Sequence, residues 1–175
     1  MGDVRPKKLC ELPNPPFTNR TILIVWQTLD ELPDQGELTR VFYKELFRMR
    51  PDARSLFPDD MSKQEEVFLS GIILAIDHMG EPAKVEKSLR KWGVIHRRDK
   101  QIADELYVYV GHALVRAVQQ LTHYVGTCVG SSWVALYEWM AAVMIDGADR
   151  YDRTMEEAKA RYRTDMHSDL QGRHR

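Results

Sequence analysis

Leu89-Arg90-Lys91-Trp92-Gly93-Val94-Ile95-His96 decides how the rest of the chain is read. With Val85 before it, the apolar side chains fall at i, i+4 and i+7, and His96 ends the row at i+11. That spacing puts Val85, Leu89, Trp92 and His96 on one face of a helix. A histidine at the end of an apolar stripe is either a core histidine bonded to a backbone carbonyl or a metal ligand held toward an apolar pocket. His96 alone leaves both open, and its spacing to other residues carries the argument further.

The helices around it follow from periodicity and punctuation. Residues 1–17 hold Pro6, Pro13, Pro15 and Pro16, which exclude regular helix and predict an extended tail. A helix is predicted over residues 19–32, stopped by Pro33, and a second over 36–50 with two apolar stripes, one of them broken by Glu45. Pro51 opens a short helical turn to residue 56. Ser62-Lys63-Gln64-Glu65 reads as a capping box before a helix to about residue 79. That helix is apolar almost all round from Val67 to Ile76, which predicts a central element. The His96 helix covers residues 82–97, and a long helix covers 102–124. Residues 126–132 read as a turn with Ser131 or Ser132 as the next cap. The last core helix covers 133–148, with Met140 and Met144, like Met61 and Met79, as core filler. From Asp149 onward the chain is charged and is expected to continue as a fraying helix with a disordered end. The expected organisation is a tail (1–17), one domain (18–150) and a charged C-terminal helix or tail (151–175). No strand pattern appears, so the fold class is all-α.

Composition narrows the function. Lys plus Arg is 25 and Asp plus Glu is 26, a balance that argues against a general nucleic-acid binder. No apolar run approaches the ~20 residues a membrane span needs. No secretory signal is visible, and Cys10 and Cys128 read as free thiols, so a cytoplasmic location is expected. His78, His112 and His123 have no mutual metal spacing and read as structural or surface residues.

Phe42-Tyr43-Lys44-Glu45-Leu46-Phe47, then Arg50-Pro51-Asp52-Ala53-Arg54-Ser55-Leu56-Phe57, then His96, Tyr107, Gly111-His112-Ala113-Leu114 and Trp133 stand in a telling order. Over residues 20–148 this order resembles a bacterial single-domain globin of the flavohaemoglobin-like group, a globin domain without a reductase domain. Fourteen positions separate Tyr43 from Phe57 and 32 separate Gln64 from His96, as in that group.

The resemblance implies a globin fold of six to eight helices around a pocket for haem b (iron protoporphyrin IX). It implies His96 as the proximal iron ligand, and Phe57, Gln64, Phe68, Trp92, Ile102 and Tyr107 as further haem-contacting residues. Tyr43 and Gln64 would be distal donors, suited to the partial negative charge that O₂ acquires there. Phe68, one turn beyond Gln64, would crowd the distal side. Tyr107 fits the tyrosine that backs the proximal histidine in the group. The carboxylate expected with it is displaced, since Asp146 and Asp149 flank a position held by Ala148. The corner Arg97-Arg98-Asp99-Lys100-Gln101 also departs from the group's pattern and is one residue longer. Arg97 and Arg98 read either as haem-propionate partners or as a solvated loop.

The function implied is reversible binding of O₂, with NO and CO as further diatomic ligands, and nitric oxide dioxygenation supported by an external reductase. Any such turnover draws its electrons from elsewhere, because the chain carries no glycine-rich dinucleotide fingerprint. Two alternatives stand beside it: a haem-based sensor or regulatory globin acting through a protein partner, and a globin fold that has lost haem. The sequence leaves open whether the chain is an enzyme and what its oligomeric state is.

Overall fold

Thr18 and Asp34 start the first two helices as their side chains dictate. The Thr18 hydroxyl accepts from Thr21 N to cap α1 (Asn19–Asp30), and the Asp34 carboxylate accepts from Gly36 N to cap α2 (Gln35–Met49). Pro51 then opens a 3-10 helix, Pro51–Leu56, and four helices follow: α3 (Ser62–Asp77), α4 (Ala83–Arg98), α5 (Asp104–Thr122) and α6 (Thr127–Gly172). The computed structural model describes residues 5–32, 34–122 and 127–172, with side chains to residue 164. Pro33, His123 and the junction at 123–126, on which parts of the sequence reading fall, lie outside the described residues. Among the described residues there is no strand.

The N-terminal stretch is extended apart from one 3-10 turn, Leu9–Glu11, and it lies along α6. Lys7 pairs with Glu138 at 2.8 Å, and Phe17 meets Trp139 edge-on at 5.3 Å between ring centroids.

The central element is α6, not α3. Every residue from Trp139 to Ile145 is buried, as are Trp133, Leu136, Tyr137 and Ala148. Its first half is apolar and long enough to cross a bilayer by composition alone, but 72% of that window is buried inside the domain, as expected of a core helix. By contrast α3 buries only Ile72, Ala75 and Ile76, and Val67 is 59% exposed. The apolar girth of α3 serves a cavity described below. Two local expectations also change. Ser62 is not a cap: Asp60 Oδ1 accepts from Ser62 N and Oγ at 3.0 and 2.8 Å and does the capping work. The expected turn at 126–132 is helical from Thr127, and the Ser131 and Ser132 hydroxyls both donate back to the Cys128 carbonyl. Beyond the core, α6 continues unbroken to Gly172, exposed from residue 152 to 164.

The crossing of α4 on α6 positions the site. A Cβ built on Gly93 would collide with the Met144 carbonyl, and one on Gly147 would stand 2.5 Å from Arg90 Cα. Two glycines on facing helices thus let the backbones touch, one turn before His96.

Glu45, the charge inside the α2 stripe, is 8% exposed. It accepts from Arg48 Nε and Nη2 at 3.2 and 2.8 Å and stands 3.6 Å from Arg116 of α5. The Arg48 bonds foremost hold its carboxyl below the ordinary value of 4.5, against the opposing effect of burial. A depressed folded pKa contributes stability that is present above the unfolded value and lost as pH falls through the folded one. Glu45→Gln is therefore expected to lower stability at pH 7 and to flatten the loss of stability below about pH 4.5. Urea denaturation at pH 7 and in mild acid checks this, and an unchanged acid slope contradicts it.

Candidate functional site

Between α3 and α4 lies a cavity of about 340 Å³. Gln64, Val67, Phe68, Gly71 and Ile72 line it from α3, and Trp92, Ile95 and His96 from α4. Tyr43, Phe57, Ile102 and Tyr107 also line it, so the structure brings together on one cavity the eight pocket residues expected from the sequence. The remaining wall is apolar, supplied mainly by Phe42, Leu46, Leu106, Val110, Met140 and Met144, with Lys100 at one edge. Met140 and Met144 share the core stripe of α6, so periodicity alone could not single them out as cavity residues. Trp92 reaches toward α3, its ring 3.6 Å from where a Cβ on Gly71 would stand.

One side of the site is built on His96. Ile102 N donates to the His96 carbonyl at 3.0 Å, and Gln101 takes a left-handed φ of 53°, which lets the lengthened corner close. The His96 ring Nδ1 lies 2.9 Å from Tyr107 Oη. Burial, aided by the nearby Lys100 charge, pushes the imidazole pKa down, and burial pushes the Tyr107 phenol up. Both groups are therefore neutral near pH 7. With Nδ1 donating to Tyr107, Nε2 is left as a lone-pair donor, and no residue among those described bonds it.

The other side holds Tyr43 and Gln64. Gln64 Nε2 donates to Tyr43 Oη at 3.0 Å. The Tyr43 proton has no acceptor among the described residues, and burial pushes its pKa up to about 12, so it stays protonated. Phe68 stacks on Phe42 at 4.1 Å and 7°, and Phe57 meets Tyr43 edge-on at 5.4 Å. These rings hold Tyr43 in place at 4% exposure.

Arg97 and Arg98 of the charged corner do not line the cavity. Arg97 is taken up by Asp104, Asp149 and Asp152, and Arg98 by Asp99. Asp146 pairs with Arg90 and Arg150. Neither Asp146 nor Asp149 thus backs the His96–Tyr107 pair. His78 Nδ1 donates to the Leu74 carbonyl at the end of α3, and His112 is exposed.

The donor set favours one kind of metal. Among the described residues no group of three His, Cys, Asp or Glu side chains could hold a bare ion. A single free imidazole nitrogen in an apolar slot suits a metal that brings its own planar ligands, which is the case of a tetrapyrrole. All-helical architecture with such a pocket between two helices defines the class. The family model for globins matches residues 40–144, more than half the chain, and the chain belongs to the globin family. The structure is similar to a bacterial globin from Campylobacter jejuni, with TM-score 0.68 and 24% identity, over 77% of this chain and 99% of that one. At that identity the likeness speaks for the fold. No curated protein matches the chain. Family membership implies a haem cofactor, and the cavity and its donors fit one.

Proposed function

We propose that this is a flavohaemoglobin-like globin that holds haem b through His96 and binds O₂ reversibly, with NO and CO as further ligands. Haem supplies an iron to which a diatomic molecule binds. The chain's residues do the rest. His96 Nε2 holds the iron, and Tyr107 fixes the imidazole orientation through Nδ1. Trp92, Ile102 and the apolar wall exclude water. Phe57 would stack on the porphyrin edge, and Phe68 would wall the distal side. The observation that carries the reading is the unaccepted Tyr43 proton beside Gln64. A buried phenol steadied through its oxygen by an amide is a ready donor to a ligand with partial negative charge. Electrons from a separate reductase extend this chemistry to nitric oxide dioxygenation in the same pocket. The exposed half of α6 supports a second reading, a sensor globin whose ligand state is passed to a protein partner.

Tyr43→Phe keeps the ring and removes only the donor. Hydrogen bonds to charged partners contribute about 1.5–3 kcal/mol, so O₂ release is expected to speed up about ten- to a hundredfold. CO carries less charge on its outer atom, and its release is expected to change much less. Stopped-flow release rates check this, and an O₂ rate within about twofold of wild type contradicts it.

A further inference from the structure

The His96–Tyr107 hydrogen bond joins two helices that pack mainly on other partners. α4 rests chiefly on α6, while α5 packs on α2 and α6. Their relative placement, and with it the 2.9 Å between Nδ1 and Oη, depends on the corner between them. Arg97, next in sequence to His96, does not line the cavity. Its side chain goes to that corner. Nη2 donates to both oxygens of Asp104 at 3.0 Å, at the start of α5 and one turn before Tyr107. Nη1 donates to Asp149 at 2.7 Å and Asp152 at 2.9 Å on α6.

One guanidinium therefore ties the helix of His96 and the helix of Tyr107 to a third. An isolated exposed ion pair contributes little, but a fork that engages three carboxylates at once constrains geometry as well as charge. Arg97 is 27% exposed, whereas Asp104, Asp149 and Asp152 are 38, 48 and 55% exposed, so the cation is the best-enclosed member of its own network. Asp149 and Asp152 both lie past residue 144, where the match to the globin family ends. Neither stands where the expected proximal carboxylate would touch Tyr107. They act one step further out.

We propose that Arg97 is a positioning residue for His96, and that the part of α6 beyond the family match anchors it. The proposal rests on the reading of His96 as the haem ligand. Its consequence is that Arg97 sets the hydrogen bond through which Tyr107 gives the imidazole part of its basicity. It also joins the exposed half of α6 to the ligand helix, the link that a sensor reading needs.

The test uses the full chain with Arg97→Met, Arg97→Lys, the double change Asp149→Asn with Asp152→Asn, and Tyr107→Phe as reference. In the ferrous haem-loaded protein, Tyr107→Phe is expected to lower the iron–histidine stretching frequency, because Nδ1 loses its acceptor. Arg97→Met and the Asp149/Asp152 double change are expected to move the band in the same direction, and Arg97→Lys to restore part of the shift. In the haem-free protein, Arg97→Met is expected to speed hydrogen exchange at the Ile102 amide by about tenfold while Ile72 keeps its wild-type rate. If Arg97→Met fails to fold, the Asp149/Asp152 double change carries both measurements alone. A band and an Ile102 exchange rate both at wild-type values, with Tyr107→Phe shifted, overturn the proposal. A folded wild-type chain that takes up no haem overturns the ligand reading instead, and leaves the exchange measurement to decide the clamp.

Discussion

Replacing His96 by alanine is expected to weaken haem retention by more than about a hundredfold, since removing a group that merely backs a ligand already costs about ten- to a hundredfold. Among the described residues no second imidazole lines the cavity, so none of them could take over the iron. Stability should fall in a characteristic pattern. A cofactor present at about a thousandfold its dissociation constant stabilises the fold by about 4 kcal/mol, and the variant forgoes this. Without haem the two proteins should differ far less, because His96 is only partly buried and the loss is one hydrogen bond to Tyr107, about 1 kcal/mol. Haemin titration and thermal melts with and without haem measure both halves. A variant that keeps wild-type haem content and ferrous spectrum would remove His96 from the site.

Gly93→Ala is expected to destabilise the chain by about 3 kcal/mol or more, toward the upper end of overpacking costs. Helix propensity alone argues the opposite sign, since alanine in a helix is favoured over glycine by about 1 kcal/mol. The contact decides. The new methyl would overlap the carbonyl of Met144, which is held inside α6 and cannot swing aside. α4 must therefore lift off α6, and it carries His96 with it. Haem affinity should fall together with stability. Gly147→Ala presses on the same crossing from the other side, 2.5 Å from Arg90 Cα, so the two changes should not add. Urea denaturation measures the effect, and a stabilised Gly93→Ala would show that the helices are free to part.

These effects sort what was legible in the chain. The helices were, because their apolar periods are plain and Pro33 and Pro51 punctuate them. The grouping of Tyr43, Phe57, Gln64, Phe68, Trp92, Ile102, Tyr107 and His96 on one cavity was legible only through the resemblance, since periodicity places residues on faces but does not say which faces meet. The rank of α3 was misread for a physical reason: apolar residues that line a cavity look in sequence like apolar residues that pack a core. The start of α6 was misread because Ser131 and Ser132 are cap formers by habit, yet both satisfy themselves on the Cys128 carbonyl. The Arg97 clamp was hidden altogether. Its acids lie 7, 52 and 55 positions away, a separation no local pattern encodes. Gly93 was visible as a residue, but its role depends on Gly147 and Met144 from another helix.

The proposed function turns on haem sitting between α3 and α4 on His96. Its most direct test is a haemin titration of the haem-free chain, with visible spectra recorded in the ferric, ferrous and CO-bound forms for wild type and His96→Ala. The wild type is expected to take up one haemin per chain and to give a histidine-ligated ferrous spectrum that shifts on CO, and His96→Ala is expected to lose that spectrum. A helical, cooperatively folding wild-type chain that takes up no haemin would contradict it.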